Sequence, residues 1–517
     1  MTGGIHGFLD RSAQAWPQRD AVVFEERGIT YETLRADSCR IAHQLLALDL
    51  EPGARIATYM VNHPAAFACQ FGIDRTPHAW LPLNYKSSLD EAVDIMNDFS
   101  AQWLFVHSSL DVDVRALRTR VPTLRGVICV DRALEGAPFL DEWIAQASSD
   151  DPGVPVGAFG TAVLRTTGGS TGKPKGVMRT HLCQVLQVAD YLAALPYDEP
   201  PRNLVLTPLS HAAGSSATPV FELGGTHYIL NSTAAGDILA SIERHRITTV
   251  FMPPTMIYNL LVHPGARGVD LSSLKYLIYG SAPMSQQKLR EAWELFGPVL
   301  TQVYGMTEAS STISIMTPRE HAHALAHRPQ RLSSCGRGSA NYRIRIVRPD
   351  GGTAQAGELG EVACASYEVM SGYFANPGAT EQAVQHGWLR TGDIGYQDEE
   401  GYLYIVDRLK DVIISGGFNV YPGEVEQVVF QHPAVKDCAV VGAPDDKWGE
   451  AVTAVIELKP GSALDPDELM VHCRTRLSGV KSPKRVLVWD TLPKSPAGKV
   501  LRKDVRAHFW QDLERKI

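Results

Sequence analysis

The stretch LKYLIYGSAPMSQQKLREAWELF spans residues 274–296. Its first six residues read as a strand, and the run after Gly280 turns into a helix. The flanking segments repeat the pattern. ITTVF (247–251) reads as a strand before the helical PPTMIYNLL, and VLTQV (299–303) reads as a strand that ends in YGMTEASS. Successive strand–loop–helix units imply parallel strands with helical crossovers. In such sheets ligands collect at the carboxyl ends of the strands. The loops 252–255, 280–284 and 304–308 are therefore candidate site loops on topology alone.

The texture changes near residue 407. GEVEQVVF (423–430) has helical spacing, whereas VKDCAVVGAP and AVTAVIEL read as strands. Asp465-Pro466-Asp467-Glu468 is a helix start, with an Asp cap, Pro at the first position and Glu at the third. The expected architecture is α/β: a large N-terminal domain, 1–407, of mostly parallel βα layers plus a small β-barrel-like part. A small mobile α+β C-terminal domain, 408–517, should follow. Between them DRLKDVIISGGFNVYP (407–422) has a charged, solvated start and a Gly pair that can bend.

Composition narrows the class. A chain of 517 residues has room for about three domain-sized cores. A formal net charge of −8 with no long Lys/Arg block argues against a nucleic-acid partner. The eight cysteines are scattered without a CxxC pair, which suits buried, reduced thiols in a cytoplasmic protein. No secretory signal, apolar run of spanning length or C-terminal lipidation signal is visible. His323 and His327 lie four apart, as two metal ligands on a helix would, but no Cys or acidic ligand completes a set nearby. Thr317-Pro318-Arg319-Glu320 reads instead as a capping box for that helix.

The segment TTGGSTGKPKGV (166–177) looks like a phosphate cradle. A Walker loop would need a Gly five positions before Gly172 and Ser or Thr after Lys173; the chain has Thr167 and Pro174 there. No G-x-G-x-x-G is present either. The composition still suits phosphate. Gly168, Gly169 and Gly172 allow consecutive N–H groups to point inward, Thr167, Ser170 and Thr171 add hydroxyls, and Lys175 adds charge. Taken alone, such a stretch reads first as a flexible surface loop.

It does not stand alone. TTGGSTGKPKGV resembles the phosphate loop of the adenylate-forming superfamily, which includes acyl-CoA synthetases, peptide-synthetase adenylation domains and luciferases. The family's other segments follow in order. PLSHAAG (208–214), YGSAP (279–283) and YGMTE (304–308) come first. TGDIGY (391–396), the hinge segment 407–422 and LPKSPAGKVLRK (492–503) complete the set. The resemblance covers essentially the whole chain. It implies a two-step reaction: a carboxylate attacks the α-phosphate of ATP, giving acyl-AMP and pyrophosphate, and a thiol, usually that of CoA, then displaces AMP. Catalysis is then charge neutralisation and positioning.

The resemblance also implies roles. Glu308 would ligate Mg²⁺, since a carboxylate beside polyphosphate needs a cation between them, and Thr307 would reach phosphate. Tyr304, with Gly305, would offer a flat face to adenine, although a core aromatic is the plainer reading. Ser281, Ala282 and Pro283 form the loop that matches the family's nucleotide-binding G-A-P segment. Asp393 would hold the ribose diol with Arg408; by itself an Asp after Gly is a turn residue. Lys499 would bridge carboxylate and α-phosphate in the first half-reaction only, after a pivot near Lys410. The same pivot would next present Ser415, Gly416 and Gly417 to the pantetheine tunnel of CoA. His211 would gate the acyl pocket or orient the carboxylate, with a packed, hydrogen-bonded histidine as the alternative.

Some positions depart from the pattern. Gly168 stands where many relatives carry Ser, Thr166 where many carry Tyr, and Ser210 where an aromatic is common. Ser210 with the small run AAGSSA (212–217) leaves room on one wall for an aromatic or branched acid, and the acid class expected is aryl, cinnamyl or medium acyl. The expected activity is an acid–thiol ligase using ATP, Mg²⁺ and CoA. A stand-alone adenylating enzyme that loads a carrier protein or another nucleophile is the rival. A retired, nucleotide-sensing scaffold is disfavoured because Lys499, Glu308 and Asp393 are intact. Homodimers are common in the family.

Overall fold

Leu204, Val250, Leu277 and Leu300 are each no more than 3% exposed, and each belongs to a different strand of one nine-stranded sheet. Burial of such a side chain contributes about 1.5–3 kcal/mol. Strands buried on both faces take this continuous apolar character when helices cover them. In the computed structural model, which describes residues 3–167, 174–310, 312–477, 479–494 and 500–510, the strands Arg202–Val205, Thr249–Phe251, Tyr276–Gly280 and Leu300–Tyr304 run parallel and adjacent. The helices Pro254–Leu261 and Gln286–Phe296 follow the second and third of these strands. The second helix shows its causes locally. Ser285 caps its start by accepting from the Lys288 amide, Leu289, Ala292 and Phe296 face the core, and Gly297 ends it at a φ of +77°.

A second, seven-stranded sheet carries the phosphate stretch. Thr161–Thr167 and Lys175–Thr180 pair antiparallel with Thr167 opposite Lys175, so the stretch is the connection of a hairpin. Lys175–Thr180 pairs on its other side with Gly372–Tyr373. The helix Pro318–His327 begins with the expected capping box, Thr317 to Glu320. Its His323 and His327 rings tilt against each other at 5.1 Å.

By internal contacts the chain divides into two compact units, 1–344 with 364–389, and 345–363 with 390–517. In the second unit, Trp388–Gln397 and Leu403–Arg408 pair antiparallel, and so do the long strands Val435–Asp445 and Gly449–Leu458. Val425 and Val429 of the helix Pro422–Val429, with Leu469 and Cys473 of the helix Pro466–Arg474, share their core. Asp465 caps the latter helix, accepting from the Asp467 amide at 3.0 Å. Arg502, at the start of the last helix, donates to Asp407 at 2.6 Å and to Glu426 at 2.7 Å. All eight cysteines are free and buried. Among the described residues no helix is long and apolar enough to cross a membrane.

Candidate active site

Four neighbouring parallel strands end on one edge of the nine-stranded sheet. Their loops carry His211, the segment after Phe251, Ser281–Pro283 and Tyr304–Glu308. The three loops expected from topology are therefore joined by the PLSHAAG loop. Buried Asn62 fixes that loop, donating to the Thr207 carbonyl at 3.1 Å and accepting from the Leu209 amide at 3.0 Å. Ser281 sits in the left-handed region at φ +66°, a conformation that costs a non-glycine residue about 1–3 kcal/mol and concentrates at functional loops.

Glu308 is 6% exposed. Its Oε1 accepts from the Tyr373 hydroxyl at 2.9 Å, and its carbonyl accepts from the Met370 amide at 2.8 Å. The Tyr373 ring lies 4.8 Å from Lys175 Nζ. One tyrosine thus joins the exit of the phosphate hairpin to the YGMTE loop. Burial and the Glu308 charge both push the Tyr373 hydroxyl up, so it stays a donor at all working pH values. Tyr304 is partly buried against the same cluster, which contains Val177, Ala309 and Tyr373. The loop is held from behind as well. Tyr342 donates to the Ala309 carbonyl at 2.7 Å, and Ser310 donates to the Glu368 carbonyl at 2.9 Å.

Glu368 is itself fully buried, close to buried Asp190. The Asn341 amide donates to Asp190 at 3.1 Å and its side chain to Glu368 at 3.4 Å. Burial, reinforced by Asp190, pushes the Glu368 carboxyl up to about 9. An acid that binds its proton more tightly when folded contributes stability that is complete below the unfolded carboxylate range and is lost as pH climbs toward 9. Glu368→Gln needs no proton. It should stabilise the protein by about 1–3 kcal/mol at pH 8, and the gain should shrink toward zero near pH 5. Denaturant unfolding at the two pH values reads this; an equal effect at both would show that Glu368 is not held protonated.

His211 is exposed. Its Nδ1 lies 2.9 Å from Ser210 Oγ. The surrounding protein, then the Arg165 and Lys86 charges, push it down to about 4. It is therefore neutral at pH 7 and able to accept or donate through one tautomer. The small run 213–217 is buried in helix packing. A side chain at Gly214 would come within 2.1 Å of the Leu209 carbonyl, so these small residues allow close approach of their helix.

In the second unit Asp393 pairs with Arg408 across the strands, Nε to Oδ1 at 3.3 Å. Gly416 and Gly417, at φ +59° and +81°, form the two-residue turn of a hairpin, the geometry such turns favour. A side chain at Gly416 would press on the Trp448 ring at 2.9 Å. Ser415 is fully buried and its hydroxyl has no hydrogen-bond partner. Lys410 is exposed, just beyond Arg408. Gly168–Lys173, with Gly168, Gly169, Ser170, Thr171 and Gly172, and Lys499 lie outside the described residues.

Residues 9–374 match the model of the AMP-binding enzyme family, and residues 424–499 match that of the AMP-binding enzyme C-terminal domain. The chain belongs to the AMP-binding enzyme family. This AMP-binding enzyme is 35% identical over 508 residues to a feruloyl-CoA synthase of Amycolatopsis sp, covering 98% of the chain and 99% of the relative. It is similar in structure to the amide bond synthetase McbA from Marinactinospora thermotolerans, with a TM-score of 0.87 and 31% identity over 98% of the chain and 100% of the other. The o-succinylbenzoate CoA synthetase MenE from Bacillus subtilis, solved with its acyl-adenylate, gives a TM-score of 0.84 at 31% identity, covering 96% and 97%. Two residues that contact the candidate site loops escaped sequence reasoning, Tyr373 and Arg165. Tyr373 falls in no motif, whereas Arg165 left a signal as the one charge in the run AVLRTT.

Proposed function

We propose that this AMP-binding enzyme activates a carboxylic acid as its acyl-adenylate, with release of pyrophosphate, and transfers the acyl group to CoA. The observation that carries the reading is the Tyr373 junction, whose hydroxyl bonds the buried carboxylate of Glu308 while its ring meets Lys175. A buried carboxylate with one oxygen bonded and no second side-chain partner among the described residues suits a hard cation, because Mg²⁺ takes one or two carboxylates and completes its shell with phosphate and water. Glu308 would hold Mg²⁺, which would neutralise polyphosphate charge. Thr307 and Thr167 contribute hydroxyls to phosphate, and Lys175 a point charge. Gly168–Gly172 wrap the outgoing pyrophosphate. Tyr304, Gly305 and Ser281–Pro283 hold adenine, and Asp393 with Arg408 holds the ribose. Lys499 serves the first half-reaction, Lys410 is the pivot between domains 1–407 and 408–517, and Ser415–Gly417 line the CoA channel. Neutral His211 orients the acid.

The acid class follows the relatives: aryl, cinnamyl or medium acyl, with ferulate first to be tried. A pyrophosphate-release screen over these acids, followed by thioester detection with CoA, tests the reading. Adenylation without thioester on any acid would move the enzyme to the second reading, transfer to a carrier protein or an amine. The similarity to an amide bond synthetase favours that reading specifically. We assign it to the cytoplasm, where its eight free, buried cysteines would stay reduced, and to a homodimer, the state common in its family.

A further inference from the structure

Arg165 is 8% exposed and stands near the end of the strand that enters the phosphate hairpin. Its guanidinium donates through Nη1 to the carbonyls of Ser210, at 2.6 Å, and His211, at 3.2 Å. It lies over the Trp80 ring at 5.6 Å. Nε is buried without a partner, and Arg165 forms no ion pair with a carboxylate among the described residues. The two carbonyls it holds immediately precede the helix Ala212–Glu222, whose N-terminus no side chain caps. A buried cation without an anion is costly to fold around. A helix start adds free amides and a positive dipole end to the same place. Both features call for one anionic group, and both adjoin the His211 loop, Arg165 from the neighbouring strand and the helix start by following it.

We infer that Arg165 and the uncapped start of the helix Ala212–Glu222 bind the carboxylate of the acid substrate and hold it before adenylation. The inference rests on the proposed reaction for the identity of the anion. Lys86 extends the positive field, since its charge and that of Arg165 both depress His211. The structure supplies no competing acid here, so the substrate's own carboxylate is the counter-ion. A single-headed acid suffices, because its one carboxylate both neutralises the site and presents an oxygen for attack on phosphorus.

The discriminating variant is Arg165→Gln, which drops the charge and keeps a shorter neutral donor. Binding of ferulate, ferulamide, octanoate and octanamide is read by calorimetry on the full chain without ATP. Wild type should prefer at least one acid over its amide by about tenfold or more, and Arg165→Gln should erase most of that preference while leaving the amide within about twofold. Arg165→Lys should restore part of it. Equal weakening of acid and amide, or no preference in wild type, would overturn the inference and leave Arg165 as a loop anchor. Should Arg165→Gln fail to fold, the acid-to-amide ratio of wild type and of Arg165→Lys decides in the same way. Failure of the proposed reaction is a separate result: pyrophosphate is not released with any acid, whatever the binding ratios.

Discussion

Lys499→Ala is expected to lower acid-dependent ATP–pyrophosphate exchange by about 10²–10³-fold, the usual cost of removing one donor aimed at developing charge. Thioester formation from supplied acyl-adenylate and CoA should stay within about threefold of wild type, since an interaction absent from that transition state cannot slow it. The split is the point of the experiment. Equal losses in both half-reactions would remove Lys499 from its proposed one-step role. The preceding lysine is not a substitute. Lys494 is held by Asp437 at 2.5 Å and Glu457 at 3.4 Å, so its ammonium is already spent. Lys494 and Val500 also bridge to each other.

Glu308→Gln should be as severe, with adenylation down by about 10²–10³-fold and saturation requiring more Mg²⁺. The amide keeps the size and an acceptor for Tyr373 but loses the charge that would bind a cation. Tyr373→Phe separates the two functions. It removes the hydroxyl that donates to Glu308 at 2.9 Å while leaving the ring against Lys175. A loss of about 3–10-fold, with the Mg²⁺ requirement raised, is expected for one hydrogen bond to a charged group. Rates titrated against Mg²⁺ for both variants would decide. An unchanged Mg²⁺ dependence in Glu308→Gln would rule out its proposed role as ligand.

The strand–loop–helix units were legible because each is local. LKYLIYGSAP becomes the strand Tyr276–Gly280 and the loop after it, and Ser285 and Gly297 punctuate the helix as their chemistry demands. The order of strands was not legible. Nothing in RNLV says that it lies beside Thr249–Phe251, yet that adjacency brings His211 to the same edge as Glu308. Sheet order depends on packing between segments far apart in sequence. Tyr373 was missed for the same reason, since its partner Glu308 is 65 residues away. The proton on Glu368 could not be read at all, because it depends on the burial of two acids on separate segments. Arg165 could have been questioned, since a lone charge inside an apolar strand needs a reason.

The eight cysteines, all buried, have a use in measurement. Burial pushes the thiols of Cys39, Cys69, Cys129, Cys364, Cys438 and Cys473 up, away from the reactive thiolate. The folded chain is thus a quiet background for maleimide dyes. A single cysteine introduced at exposed Phe418, paired with another at exposed Val262, would take up donor and acceptor fluorophores. Energy transfer between them would then report any swing of the small domain as acid, ATP and CoA are added in turn.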